Sequence, residues 1–277
     1  MMFGFKKIVF ILTVFFLVFG SACNSKSTSG ISEAEKKEFF SKYQAEMDNE
    51  NYKGAFSILE KLVEKNDDFA KNEMGFFYEE GIFVEKDINK AIKLYAEAGN
   101  NNYVPAMYNI GRLKLEDGNE VEAFSILEYV ASKDYAPALN LLGIMYNNGG
   151  YADKDLNKAF LYYKKAADLG NPDAKFNLGQ MYFYGEGVKQ DYKKSFYWYD
   201  ESAKQNYDFA KIQLATSYYK GYGVKKNIEK AISAISEMAD KGDPDAIYNI
   251  RLYYKSINNK EKYNYWRVKC KETIGCE

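Results

Sequence analysis

The sequence predicts an all-α fold, an α-solenoid assembled from repeated helix pairs. Three observations carry this reading. Alanines recur at a fixed interval: Ala70 to Ala106 is 36 residues, and Ala138, Ala174, Ala210 and Ala246 follow one another at 36. Self-similarity at such a period is the signature of repeat architectures. All 4 prolines stand just before one of these alanines, Pro105 and Pro137 by one residue, Pro172 and Pro244 by two. Proline suits a helix start, where its missing N–H is not needed, and is excluded from helix interiors. Finally, a glycine recurs five residues after the alanine, at Gly75, Gly111, Gly143 and Gly179. A mid-helix glycine costs about 1 kcal/mol, so its return in phase points to close approach of a second helix.

From the N-terminus, Lys6 and Lys7 precede an apolar run from Ile8 to Val18, broken only by Thr13, and then Gly20, Ser21, Ala22 and Cys23. That order is a signal-peptide layout, and the run is short for a membrane span. Residues 1–22 are therefore expected to be a signal peptide. The GSAC sequence ending at Cys23 resembles a bacterial lipobox, with Gly20 where leucine is usual. The resemblance implies lipidation of Cys23, and Asn24 after it is similar to the pattern sorted to an outer membrane. The expected location is thus the periplasmic face of the bacterial envelope. Residues 23–36, small and polar, are expected to be the lipidated cysteine and a flexible tether.

The expected repeat body covers residues 37–257, with units near 38–69, 70–105, 106–137, 138–173, 174–209 and 210–245, and residues 246–277 as a C-terminal cap. In each unit a first helix carries small and apolar residues, as at Ala174, Leu178, Gly179 and Tyr182. A glycine-rich loop ends it. Asp87, Asp155 or Asp191 suits the positive start of the second helix. The second helix is lined by Ala91, Ala159, Ser195 and Ala231. Cys270 and Cys276 remain as an even pair in an oxidising compartment, and a disulfide between them is expected.

These residues carry a family resemblance. The unit AKFNLGQMYFYGEGVKQD, with Gly185, Gly187, Val188 and Asp191, resembles the Sel-one-like repeat, a relative of the tetratricopeptide repeat. The unit at Ala210 has Ala215 for the helix glycine and Asn227 for the aspartate. The units at Glu38 and Ala106 lack the extra loop and are similar to plain tetratricopeptide units. The resemblance implies a right-handed superhelix of antiparallel helix pairs that holds protein partners.

Composition narrows the chemistry. There are 38 Lys and Arg against 39 Asp and Glu, so no basic surplus favours nucleic acid. With 0 His, Ser-His and Cys-His catalytic pairs and His-bearing zinc sites are excluded. The S-x-x-K stretch Ser217–Lys220 lacks the companion motifs of serine acylases, and neither an enzyme nor a cofactor is expected. The candidate site is instead the face of the first helices. Three residues after each alanine stand Asn109, Leu141, Asn177, Gln213 and Asn249, with Tyr108, Phe176 and Tyr248 just before three of them. An amide both donates and accepts, so a row of them can pair with the backbone of a bound segment, and the amides are expected to be exposed in the free protein. The expected partner is a protein, either a secreted toxin such as a phospholipase, blocked in the manner of the lipoprotein immunity factors that the family includes, or an envelope component served by an adaptor. A hydrolase of β-lactam or cell-wall amides is the remaining alternative.

Overall fold

A computed structural model describes residues 31–275. Fourteen helices, and no strands, follow one another among the described residues: α1 Glu33–Asp48, α2 Tyr52–Glu64, α3 Asp68–Glu80, α4 Ile88–Asn100, α5 Val104–Glu116, α6 Glu120–Ala131, α7 Ala136–Asn148, α8 Leu156–Asp168, α9 Pro172–Tyr184, α10 Tyr192–Ala203, α11 Asp208–Lys220, α12 Ile228–Asp240, α13 Pro244–Ser256 and α14 Lys260–Ile274. The chain divides between Tyr135 and Ala136 into two compact units. Within each, consecutive helices pack pairwise, α3 on α4, α5 on α6, α7 on α8 and onward. No described helix is long and apolar enough to cross a membrane. Residues 1–22 and the lipidation candidate Cys23 lie outside the described residues.

Each first helix begins about two residues earlier than the alanine period suggested. Pro172 and Pro244 open α9 and α13, and Pro105 is the second residue of α5. The period marks the packing position rather than the cap, because it is the alanine that must be small: Ala70, Ala106, Ala138, Ala174, Ala210 and Ala246 are all fully buried. A second correction concerns the tether. Read as flexible to residue 36, it gives way at Ser32, which caps α1. The Ser32 hydroxyl accepts from the Glu35 N–H at 3.3 Å while the Glu35 carboxylate accepts from the Ser32 N–H at 3.0 Å, a reciprocal capping box. Ile31 beside it is buried.

The recurring glycine has a specific opponent. A methyl group at Gly75, Gly143 or Gly179 would lie 2.7, 2.6 or 2.7 Å from the ring of Tyr95, Tyr163 or Tyr199 on the second helix of the same pair. Gly111 instead faces Leu127, at 3.1 Å. At the equivalent place in α11 and α12 the chain carries Ala215 and Ile235, both fully buried. The pair shares one volume: a tyrosine on the second helix demands glycine on the first, and isoleucine leaves room for alanine.

Two connection lengths sort the pairs. Seven residues join α3 to α4, α7 to α8, α9 to α10 and α11 to α12, whereas three join α1 to α2, α5 to α6 and α13 to α14. Each long loop ends in Asp87, Asp155, Asp191 or Asn227, whose side chain accepts from the N–H three residues on (Lys90, Lys158, Lys194, Lys230). The same residues donate their own N–H to Tyr78, Tyr146, Tyr182 and Tyr218 at 2.8–2.9 Å, which pins the loop to the first helix. The C-terminal pair closes over Trp266 and Cys270, both buried. Cys270 is disulfide-bonded, and Cys276 lies outside the described residues.

Candidate functional site

The row of amides falls on one face of the first helices, but the structure changes its character. Asn109, Asn177, Gln213 and Asn249 are all half-buried rather than exposed. Asn109 on α5 donates from Nδ2 to Oδ1 of Asn72 on α3 at 3.0 Å, and Asn177 on α9 donates to Asn140 on α7, also at 3.0 Å. Asn72 and Asn140 are buried. Buried amides require partners, so these two rungs stitch one first helix to the next within each unit. Asn249 behaves differently: its Nδ2 donates to the Asp245 carbonyl at 2.8 Å, within its own helix.

The aromatic residues of the row are likewise partly committed. Tyr108 is half-buried, 5.4 Å from the Tyr135 ring. Phe176 sits 5.4 Å from Tyr207 and 5.8 Å from Tyr199. Tyr248 stays 43% exposed, with the Arg251 guanidinium 5.1 Å from its ring centre, so it alone of the three offers a broad free face.

Two hollows open along this face of the second unit. One, of about 310 Å³, is lined by Asn147, Phe176, Asn177, Gln180 and Tyr184. The other, of about 330 Å³, is lined by Thr216, Tyr219, Asn249, Leu252 and Tyr253. Each lies between consecutive first helices and contains one amide of the row. Both are shallow, mixed surfaces suited to side chains of a bound chain. Ser217 of the S-x-x-K stretch is buried and its hydroxyl donates to the Gln213 carbonyl at 2.8 Å, a bond internal to α11.

Glu73 occupies the same repeat position in α3 that the amides hold elsewhere. It is 7% exposed and accepts from Tyr43 Oη at 3.0 Å and from Asn72 Nδ2 at 2.9 Å, so Tyr43 and the Asn109–Asn72 pair converge on its carboxyl from two sides. Removal from water raises its pKa above the ordinary carboxylate value, against the two hydrogen bonds. Two turns on, the buried Glu79 accepts from Tyr95 Oη at 2.8 Å and from Arg112 Nη2 at 2.5 Å. Arg112 in turn reaches Glu116 at 2.7 Å. The sequence signal for Glu73 was its phase with Asn109, hidden by its being an acid. Among the described residues no cluster of His, Cys, Asp or Glu could hold a metal ion.

The comparisons with known proteins agree with this geometry. The Sel1 repeat family model matches residues 69–103, 136–171, 172–207 and 209–233, the four pairs with the seven-residue loop. A Sel1 repeat protein from Oxalobacter formigenes superposes with a TM-score of 0.69 at 24% identity, covering 83% of this chain and 98% of that one. A protective antigen of uropathogenic Escherichia coli with an SLR fold gives 0.63 at 24% identity, over 87% of this chain and 55% of that one. An immunity protein from Pseudomonas aeruginosa gives 0.54 at 22% identity, over 70% and 75%. No curated protein sequence is significantly similar. Four long-loop pairs, each meeting the family pattern, make this chain a member of the Sel1 repeat family, whose repeats serve as scaffolds for protein–protein interaction.

Proposed function

We propose that the protein is a lipid-anchored scaffold of the bacterial envelope that holds a segment of a partner protein along the first-helix face of its second unit, and that the partner is a secreted toxin which it blocks. The observation that carries the reading is the placing of Asn177 and Asn249 in two hollows of about 310 and 330 Å³ on that face. A segment laid there meets an amide in each hollow, able to donate to and accept from its backbone. The signal-peptide layout ending at Cys23 supports the anchor. The immunity protein of Pseudomonas aeruginosa has this fold, which supports the toxin as partner.

The committed bonds decide which variants test the face. Asn177→Ala would strand the buried Asn140 amide and confuse binding with stability. Asn249 bonds only within its own helix, so Gln213→Ala with Asn249→Ala is the cleaner double variant. Losing two exchangeable hydrogen bonds, at roughly 0.5–1.5 kcal/mol each, should weaken binding about tenfold. The partner to measure is the protein that the full chain captures from solubilised membranes, identified by mass spectrometry, with affinity read by calorimetry and blocking by protection of cells that co-express both. Unchanged affinity and protection would rule the face out. The anchor is tested separately: intact mass of detergent-extracted protein should show acyl chains on an N-terminal Cys23.

A further inference from the structure

The lysines of the second unit divide into two populations. At the turns between pairs four have a carboxylate close by: Lys164 with Asp168 at 2.6 Å, Lys204 with Asp200 at 2.8 Å, Lys211 with Asp208 at 3.2 Å, and Lys241 with Glu237. At the opposite edge, formed by the seven-residue loops and the starts of α10 and α12, they do not. Residues 184–195 and 220–231 carry seven lysines against Glu186, Asp191 and Glu229, in a chain whose net charge is -1. None of the seven has a carboxylate within ion-pair distance among the described residues, and all are exposed. Asp191 spends its carboxylate on the Lys193 and Lys194 N–H groups at 3.0 and 3.1 Å.

The fold holds these cations together. A methyl group at Gly223, where φ is +70°, would lie 2.0 Å from the Tyr192 carbonyl oxygen, so only glycine lets the second loop settle on the start of α10. The contact brings Tyr222 onto Tyr192, rings stacked at 5.1 Å, with Phe183 edge-on to Tyr222 at 5.3 Å. Lys220 and Lys226 both lie over Tyr219, at 5.2 and 5.3 Å. The two ammonium groups thus lie over one ring, itself stacked on Tyr253 at 4.7 Å, while Lys193 follows Tyr192 in the chain and Lys225 stands three residues after Tyr222.

We propose that this loop edge is a docking surface for an acidic protein segment, gripped by Lys193, Lys220, Lys225 and Lys226 around the Tyr192–Tyr222 stack. Solvated lysines clustered on a neutral chain are the complement of a negative partner and would steer its approach. A protein fits better than an anionic membrane. The exposed rings, Tyr184 at 61% and Tyr192 at 37%, end in hydroxyls, and residues 184–195 and 220–231 carry no large exposed aliphatic side chain to enter hydrocarbon. Glu186 and Glu229 would repel a uniform sheet of negative headgroups but can be avoided by discrete side chains. The surface adjoins the amide face, since Tyr219 and Lys220 also line the hollow at Asn249 and Tyr184 lines the one at Asn177, but Lys193, Lys225 and Lys226 lie outside both hollows, and the proposal does not depend on that reading.

The test uses the full chain and a fluorescently labelled oligoglutamate peptide, with anisotropy read at low and high salt. Saturable binding that weakens with salt is expected. Lys193→Gln, Lys225→Gln and Lys226→Gln combined should weaken it at least roughly tenfold, as loss of several charge contacts would. Lys164→Gln, Lys204→Gln and Lys241→Gln remove the same three charges from the turn edge and should leave it unchanged. Equal weakening by both sets would reduce the effect to net charge and overturn the proposal. So would failure of the unaltered chain to bind the peptide, or binding only to phosphatidylglycerol vesicles run in parallel.

Discussion

The two compact units use one helix-pair plan with opposite polar chemistry. In the first, the buried polar side chains are Asp67, Lys71, Asn72, Glu73 and Glu79; in the second they are Asn140, Ser195, Ser202, Ser217 and Arg251. At equivalent places in the repeat the first unit sets a carboxyl at Glu73 beside an amide at Asn109, and the second sets amides at Asn177, Gln213 and Asn249. An amide inside the fold needs hydrogen bonds alone. A carboxylate must also offset the loss of water around its charge. The difference teaches that the repeat fixes backbone and apolar contacts while leaving polar rows free to vary. It follows that the first unit should be the more sensitive to pH and to loss of a single partner.

The largest effect expected from this contrast is at Arg112. Its guanidinium is the cationic partner of buried Glu79, and Arg112→Met would leave that charge with Tyr95 alone. Removing one member of a buried pair costs about 3–5 kcal/mol. Arg112 is a quarter exposed, so about 3 kcal/mol is expected in urea melts. Glu79→Gln in the same background should restore part of the loss by removing the stranded charge. A shift below about 1 kcal/mol would mean that the pair behaves as a surface contact and that the contrast between units is overstated.

The next effect tests what the units share. Gly179→Ala in the second unit would drive a methyl into the Tyr199 ring, 2.7 Å away. Overpacking of this kind costs typically 1–3 kcal/mol. Tyr199→Ile should then relieve most of the clash, because Ala215 opposite Ile235 already fits in the same protein. A double-mutant cycle by thermal or chemical melting would show coupling of opposite sign to the single costs. Additive losses would show that the helix spacing, not the shared volume, is what the glycine serves.

Smaller, but specific to the first unit, is a dependence on pH. Burial raises the pKa of Glu73 from 4.5, and that of Asp67 from 3.8. A group whose folded pKa is raised binds its proton more tightly in the folded state. Its contribution is whole below the unfolded value and is lost as pH rises through the folded one. Stability should therefore fall as pH rises from about 4.5, and Glu73→Gln should flatten that slope. The second unit supplies the opposite sign at its surface, where Lys241 lowers the pKa of Glu237. Urea midpoints across an acid-to-neutral series read both. An unaltered slope in Glu73→Gln would assign the pH dependence elsewhere.

Much of the fold was legible because it rests on local rules. The alanine period, the four prolines and the glycine at mid-helix each state a packing or backbone need in the residue itself. The long and short connections could be counted from the sequence, and they separate the Sel1 pairs from the plain ones. The start of α1 was also written there, in Ser32 and Glu35, but was masked by the polar composition around it. The candidate site was legible as a row and not as a state. Whether Asn177 faces solvent or Asn140 depends on a helix 37 positions away in sequence, and no local pattern encodes that. Glu73 escaped because the row was recognised by its amides, while its burial comes from Tyr43 and Asn72 on neighbouring turns and helices. The lysine edge needed the loop of one pair to be placed on the helix start of another.

The smallest expected effect is at the helix caps, and it bears on whether the units differ in charge or only in its burial. Asp87 in the first unit and Asp155, Asp191 and Asn227 in the second share one geometry, extended at φ of -143, -140, -151 and -152°, with the side chain accepting from the third helical N–H. Asparagine and aspartate rank together as caps, and replacing either by alanine costs about 1 kcal/mol. The negative charge adds an interaction with the positive helix end of about 0.3–1 kcal/mol, at the low end where salt and exposure screen it. Asp191→Asn should therefore shift stability by less than about 0.5 kcal/mol, as Asn227 already demonstrates that the loop closes without the charge. Asp191→Ala should lose about 1 kcal/mol, because the Lys193 and Lys194 N–H groups then give up their shared acceptor. Asp87→Asn and Asp87→Ala should repeat the pair of values in the first unit. If Asp191→Asn instead cost as much as Asp191→Ala, the caps would act through charge. The second unit would then hold an electrostatic requirement of its own beside its lysine edge, and the contrast with the first unit would be one of position rather than kind.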